Sequence, residues 1–287
     1  MVRDDGNGFV RCACGKRHWG LHGAAGLLLT DPARGVLLQK RAWWTHYGRT
    51  WALPGGAVQA GETPWQAAIR EAGEEAAVPS AAARATSESI VDHGTWRYTT
   101  VLATTRHAVT ERAVSMESAE LRWVPPAEVA ELRLHPDFAL AWPELSGQLD
   151  RELVLVVDAA NVVGSRPDGW WRDRAGAAVK LRDRLAALGE AGVRDDAVGV
   201  LAGPQWSWWP RIVLVVEGQA RGVAAVPGVQ VVAAERDGDS EIVRVVAKAR
   251  ADRAGDHVLV VTADRELRAR VSAEGAGVLG PRALPIR

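Results

Sequence analysis

The run from Gly55 to Val78 constrains this chain more than any other stretch, because its charged residues fall at fixed intervals: Gly56, Glu62, the pair Arg70-Glu71, and the pair Glu74-Glu75. Pro64 suits the first turn of a helix and Thr63 can cap it. Residues 64–77 hold many alanines and few β-branched side chains, so a helix is predicted there. On it Glu71, Glu74 and Glu75 stand at i, i+3 and i+4, which gathers three carboxylates on one face. Such charges repel unless a cation lies between them. Mg²⁺ or Mn²⁺ prefers oxygen ligands and keeps positions open for phosphate oxygens. Gly55 and Gly56 let the backbone approach the metal or phosphate closely. A merely solvated acidic helix would pair its acids with bases one turn away, yet Arg70 is the single base among them.

Read as Gly-x5-Glu-x7-Arg-Glu-x2-Glu-Glu, the run resembles the Nudix box, the signature of hydrolases that cleave a diphosphate linked to another moiety. Every charged position matches. Ala72 is a small residue at an apolar position, and Ala77 stands where the family has Gly, a cost of roughly 1 kcal/mol for the left-handed turn after the helix. The resemblance implies an α/β/α sandwich over roughly residues 20–145. It implies Gly56, Glu71, Glu74 and Glu75 as metal ligands, with Arg70 orienting the glutamates. The base that prepares the attacking water is either a box glutamate or a later acid, Glu120 or Glu117. Lys40, Arg41, Trp43 and Trp44 are candidates to contact the base or phosphate of a nucleotide-type small molecule, with at least one of the two tryptophans expected in buried packing. Base-specificity residues lie outside the box, so nucleoside triphosphates, nucleotide sugars and dinucleotides all stay open.

At 287 residues the length suggests two domains, and 47% hydrophobic content suffices for two cores. Lys plus Arg is 35 and Asp plus Glu is 35, so no net field draws the chain to nucleic acid or membrane. The start MVRDDGNG is too polar for a signal peptide, and no apolar run approaches a membrane span. A cytoplasmic protein is expected. Cys12, Cys14, His18 and His22 could supply four zinc ligands. One residue between the cysteines is tight for a single ion, so the segment reads instead as a lead-in with Trp19 packed inward and both histidines on the surface or facing substrate.

Apolar runs at 24–30 and 35–40 predict a hairpin, with further strands at 51–53, 88–92, 96–105 and 121–124 and a short helix Ala127–Leu132. Pro143 and Gly147 are expected to break structure near residues 142–151, dividing the chain into domains 1–148 and 150–287. Beyond, buried-type strands at 153–157, 212–216, 229–233, 258–261 and 277–279 alternate with helices at 172–189, 240–253 and 265–273, which predicts a parallel open sheet with helices on both faces.

Asp158, Glu217 and Asp264 close three of these strands, and the carboxyl ends of such strands line a ligand crevice. Asp158-Ala159-Ala160-Asn161, Gly238-Asp239-Ser240-Glu241 and Thr262-Ala263-Asp264-Arg265 resemble the NYN branch of the PIN-like nucleases. The resemblance implies Asp158, Asp239 and Asp264 around Mg²⁺ or Mn²⁺ for RNA hydrolysis, with Asn161 beside the first. Ser240 stands where many relatives have a second Asp, and Glu217 and Glu241 are the compensating candidates. The alternative is that Asp239 and Asp264 merely cap helices. Thirteen tryptophans are many for this length. Trp170-Trp171 and Trp206 to Trp209, taken as loops beside arginines, either stack on RNA bases or pack a domain or homodimer surface. The readings are thus a diphosphate hydrolase, an RNA-processing protein using both halves, or a hydrolase carrying a binding module.

Overall fold

A computed structural model describes residues 5–165, 170–201, 203 and 205–286. Two compact units divide the chain at Met1–Asp150 and Arg151–Arg287.

The first unit opens with a small antiparallel hairpin, β1 (Phe9–Arg11) and β2 (Arg17–Trp19). β3 (Ala24–Asp31) and β4 (Gly35–Arg41) form the hairpin the apolar runs predict. They share only two residue pairs before diverging, and β5 (Trp51–Ala52) and β6 (Gly55–Ala57) fill the opening: β5 pairs with β4 and β6 with β3. α1 (Pro64–Ala76) follows. β7 (Ala83–Asp92) and β8 (Arg97–Thr105) make a second hairpin, and β8 runs parallel to β3. β9 (Ser118–Val124) lies against β4 with a bulge at Lys40/Arg41. The helix predicted at Ala127–Leu132 is a 3₁₀ turn over Pro126–Glu131. α2 (Pro136–Ser146) contains Pro143, so that proline does not break the structure as expected. Gly147 caps the helix instead.

α1 can lie close to the sheet because its inner face is Ala67, Ala68, Ala72 and Ala76, all wholly buried. Thr63 accepts from the Gln66 amide while the Gln66 side chain accepts from the Thr63 amide, a complete capping box. Ala77 adopts the left-handed conformation expected for the position, with φ 56°.

The second unit starts with β10 (Leu153–Asp158), α3 (Ala159–Gly164) and α4 (Arg174–Ala191). β11 (Val193–Arg194), α5 (Asp195–Val198) and β12 (Trp206–Trp208) form a side motif in which the two strands pair antiparallel. Then come β13 (Arg211–Val216), β14 (Val229–Ala233), α6 (Gly238–Asp252), β15 (His257–Val261), α7 (Arg265–Ala273) and β16 (Gly277–Leu279). Five strands make an all-parallel sheet in the order β14-β13-β10-β15-β16. Along β10, Leu153, Leu155 and Val157 enter one core with α3 and α4, and Val154 and Val156 enter the other with α6 and α7. That is why the run is apolar without alternation. The protein is α/β throughout.

Trp206 to Trp208 is a strand rather than the expected loop, and Trp208 is 0% exposed in the core. Its indole donates to Asp195 Oδ1 at 2.9 Å, and that buried carboxylate also collects the amides of Val200, Leu201 and Gly203. Trp206 is buried beside it, and neither ring can stack on a base. Trp171 is exposed, whereas the Trp170 side chain lies outside the described residues. Among the described residues no helix is long and apolar enough to cross a membrane.

Candidate active site and a second acidic cleft

β6 carries Gly55 and Gly56 past Gly26 and Ala25 of β3, and the approach leaves no room for side chains. A Cβ on Gly55 would sit 2.6 Å from the Gly26 Cα, and one on Gly56 would sit 2.5 Å from the Glu71 carboxyl carbon. Glu71 therefore occupies the space that Gly56 vacates.

Arg70 binds the box together. Its Nε and Nη2 donate to the two oxygens of Glu62 at 2.9 and 3.0 Å, the fork-to-fork geometry only guanidinium provides. Nη2 also donates to the Ala57 carbonyl at 2.9 Å, and Nη1 to Glu71 at 2.8 Å and Glu74 at 3.4 Å. The Glu62 bonds hold Arg70 still more firmly cationic than usual. Burial opposes the Glu62 charge, but Arg70 and the Gln59 amide hold that carboxyl below its ordinary range.

The three helix carboxylates differ sharply in surroundings. Glu74 is exposed, whereas Glu75 is buried, 6% exposed, rather than on a solvent-facing surface. Glu75 Oε2 accepts from the Gly55 amide at 2.9 Å and from Gln39 Nε2 at 3.0 Å. Gln39 is in turn fixed by Ser118 Oγ, which donates to its Oε1 at 2.6 Å. Burial pushes the Glu75 carboxyl up to about 7, the Glu71 and Glu117 charges adding to it. Burial raises Glu71 as well, against the pull of Arg70. Acids raised in this way, beside glycines that clear backbone space, suit a divalent cation held by oxygen ligands. Gln39 escaped the sequence reading, although a lone amide in the apolar run of β4 was its signal. Glu62 was visible as a box position, but its grip on Arg70 was not.

Glu120 is engaged elsewhere, accepting from Arg122 at 2.8 Å and Lys40 at 3.4 Å. The Arg122 bond comes first in holding its carboxyl below the ordinary range. Arg41 donates to the His46 carbonyl, and the loop after it carries Trp43 and Trp44, 75% and 53% exposed, so neither is the buried packing residue expected.

In the second unit, strand order reverses about β10, and a cleft of about 460 Å³ lies at the carboxyl ends of the strands there. Asp158, Asn161, Glu217, Asp239 and Asp264 line it. Asp158 accepts from the Asn161 amide at 3.0 Å and from Thr262 Oγ1 at 3.0 Å. Asn161 Oδ1 accepts from the Ala263 amide at 2.8 Å, joining the ends of β10 and β15. Burial pushes Asp158 up, with Asp239 and Glu217 adding, and pushes Asp239 up with Asp264 adding. Asp264 does cap its helix, accepting from the Leu267 amide, whereas α6 is capped by Asp237, which leaves Asp239 inside the first turn and free of that duty. Glu217 accepts from the Gly238 amide at 2.8 Å. Glu241 turns to Arg244 and is not among the lining residues, and Ser240 meets Arg270.

A family model described as NUDIX domain matches residues 20–143. A Mycobacterium tuberculosis protein named "Putative 8-oxo-dGTP diphosphatase 3" is 47% identical over 155 residues, covering 50% of this chain and 71% of that protein. A Bifidobacterium longum "Nucleoside triphosphate pyrophosphatase/Nudix hydrolase fusion protein" is 41% identical over 157 residues, covering 52% of this chain and 33% of that protein. Among solved structures, the M. smegmatis Nudix hydrolase RenU is 47% identical, with 49% of this chain and 92% of that one covered and a TM-score of 0.45. With the box in place and that extent of likeness to the M. tuberculosis protein, the chain belongs to the Nudix family of pyrophosphohydrolases.

Proposed function

We propose that the first unit hydrolyses a diphosphate bond of a nucleoside triphosphate in a Mg²⁺- or Mn²⁺-dependent reaction. The observation that carries the reading is the pair of raised carboxylates, half-buried Glu71 and buried Glu75, packed on glycine backbone beside the exposed Glu74. These three and the Gly56 carbonyl would hold the ion, which when bound polarises the phosphoryl oxygens and offsets charge on the leaving phosphate. The chain's own residues do the positioning. Arg70 fixes Glu71 and Glu74 in place through Glu62 and Ala57, and Gln39 with the Gly55 amide aims Glu75. Glu117 favours itself over Glu120 as the base for water, because Glu120 is already paired with Arg122 and Lys40. Trp43 and Trp44 offer exposed rings for the base. The mycobacterial relative's name motivates an oxidised purine as that base. A panel of 8-oxo-dGTP, dGTP, a nucleotide sugar, a dinucleotide and 5′-triphosphorylated RNA, each with Mg²⁺ and with Mn²⁺, tests this. Release of pyrophosphate from a triphosphate is expected; turnover of the sugar or dinucleotide alone would refute the substrate class.

For the second unit we infer a PIN-like domain of NYN type that binds a divalent cation through Asp158, Asp239 and Asp264. Support comes from the convergence of those acids at the switch point of a parallel sheet. Mn²⁺ at millimolar concentration is expected to raise the melting temperature of one transition in the full chain, an increase that Glu75→Gln leaves intact and Asp264→Asn abolishes. Asn keeps the helix cap, so the metal-free Asp264→Asn protein should be at least as stable as wild type. Internal cleavage of RNA would make the unit a nuclease. No Mn²⁺-dependent shift would instead leave the unit better read as a binding module, and a shift that survives Asp264→Asn would refute this ligand set.

The two units are further proposed to fold independently, since each has its own sheet and core. Residues 1–150 and 151–287 expressed separately should each unfold cooperatively. Two fragments soluble only when mixed would count against it.

A further inference from the structure

Two turns meet in the first unit. The β1–β2 turn is closed by the Cys12 amide on the Lys16 carbonyl at 2.9 Å and the Gly15 amide on the Cys12 carbonyl at 3.0 Å. The β7–β8 turn is closed by the His93 amide on the Trp96 carbonyl at 2.9 Å. Cross-links tie the two: the Ala13 amide donates to Thr95 Oγ1 at 3.3 Å, and the Cys12 thiol to the His93 carbonyl at 3.3 Å. Trp96 Nε1 donates to the carbonyls of Trp19 and Gly20, both at 3.1 Å. At the junction, one ligand atom from each of Cys12, Cys14, His18 and His93 lies within 4.8 Å of all the others. Cys14 Sγ is 3.1 Å from His18 Nε2, and the His18 ring stacks on Trp96 at 4.2 Å and 11°, which fixes its plane. His18 thus faces the cysteines and Trp19 is half-exposed, contrary to the lead-in reading of this segment.

We propose that Cys12, Cys14, His18 and His93 form a structural zinc site, separate from the acids of the Nudix box. Bond lengths of about 2.3 Å to sulfur and 2.0–2.1 Å to nitrogen imply tetrahedron edges of roughly 3.3–3.8 Å. Side-chain rotation of about 1 Å, at a turn where Cys14 is exposed, closes the remaining distance. Two thiolates and two imidazoles suit Zn²⁺ and are poor ligands for the hard ions of the box. Four protein ligands complete the coordination sphere, so the site holds structure and takes no substrate. Both thiols lose their protons to solvent on binding. The tight Cys-x-Cys spacing is workable because the fourth ligand comes from the β7–β8 turn and not from His22.

The fold gives such a clamp something to do. A two-stranded hairpin of three residues per strand is marginal alone. Its buried apolar support is small: Cys12, Ala24 and Trp96, with Val10 and Tyr98 against them. The chain then runs directly into Gly23, whose carbonyl accepts from the Val58 amide at 3.0 Å, and Ala24, which pairs with Ala57. Fixing the hairpin therefore steadies the strand pair that presents Gly56.

Elemental analysis of the full chain, purified under reducing conditions with zinc supplied, should find about one zinc per chain. Replacement by Co²⁺ should give the visible bands of tetrahedral cobalt and a thiolate charge-transfer band, which carboxylate ligands cannot produce. His93→Ala and Cys14→Ser should each weaken zinc binding at least tenfold, while His22→Ala and Glu75→Gln retain it. A chelator should lower the melting temperature of the Nudix transition by about 5 °C or more. Wild-type chain that takes up no zinc and gives no cobalt–thiolate band overturns the site. Zinc unaffected by His93→Ala, or lost in His22→Ala, overturns the ligand set.

Discussion

Replacing Glu75 by Gln should lower turnover of the Nudix substrate by about 10²-fold or more if, as proposed, its carboxylate helps hold the divalent ion. The same change should make the metal-free protein more stable at alkaline pH. Burial pushes the Glu75 carboxyl up to about 7, against an ordinary value of 4.5. Between those two values the folded state holds a proton that the unfolded chain has released. Metal-free stability therefore falls as pH rises through that window, and the full loss is present above it. A displacement of this size corresponds to about 3 kcal/mol by linkage. Gln keeps the shape and the hydrogen bonds from Gly55 and Gln39 but carries no charge at any pH. In chelator at pH 8 the variant should exceed wild type by about 2–3 kcal/mol, and at pH 4 the two should converge. Mg²⁺ should restore the wild type alone. Urea melts across pH measure this, and parallel curves for the two proteins would refute the buried-charge account.

Arg70→Ala should be the most damaging single change to folding in the first unit. It leaves Glu62 and Glu71, with side chains 13% and 17% exposed, without their shared counter-charge, and it strips a donor from the Ala57 carbonyl. Breaking a buried pair by removing one partner costs about 3–5 kcal/mol. The Arg70 side chain is 23% exposed, which places the loss toward the lower end. Lys should rescue poorly, since one ammonium cannot span both Glu62 oxygens and reach Glu71 and Ala57 as well. Glu62→Gln with Arg70→Met should recover part of the stability but none of the activity, because Glu71 and Glu74 are still unheld. A loss below about 1 kcal/mol in Arg70→Ala would mean that the cluster is no better than a surface ion pair.

How much of this was written locally can be judged from particular residues. α1 was legible because its determinants are neighbours: Thr63, Pro64 and Gln66 at the start, alanines on the inner face, and Ala77 at the end. β10, β13 and β15 were legible because a strand buried on both faces is apolar along nearly its whole length, and the edge strands β14 and β16 were legible as short apolar runs although they are partly exposed. Asp158 at the end of β10, Glu217 directly after β13 and Asp264 three residues after β15 were legible for a related reason: where an apolar run gives way to polar residues and a carboxylate, the strand has reached the open edge of the sheet. Tertiary structure decided the rest. Glu74 and Glu75 are adjacent and chemically identical, yet one is exposed and the other sealed against Gln39 and Gly55, residues set in place by two different strands. Asp237 rather than Asp239 caps α6 because the helix begins at Gly238, two residues earlier than the Ser240 start the sequence predicted. Trp206 and Trp208 pass for surface loop aromatics until β11 and Asp195 close over Trp208. His93 gains meaning only when the β7–β8 turn meets Cys12 and Cys14. The sequence by itself determined α1 and the central parallel strands, because periodicity, caps and residue type act within a turn or two of chain. Burial, charge state and the pairing of distant turns depend on which surfaces come together, and that is a property of the folded chain as a whole.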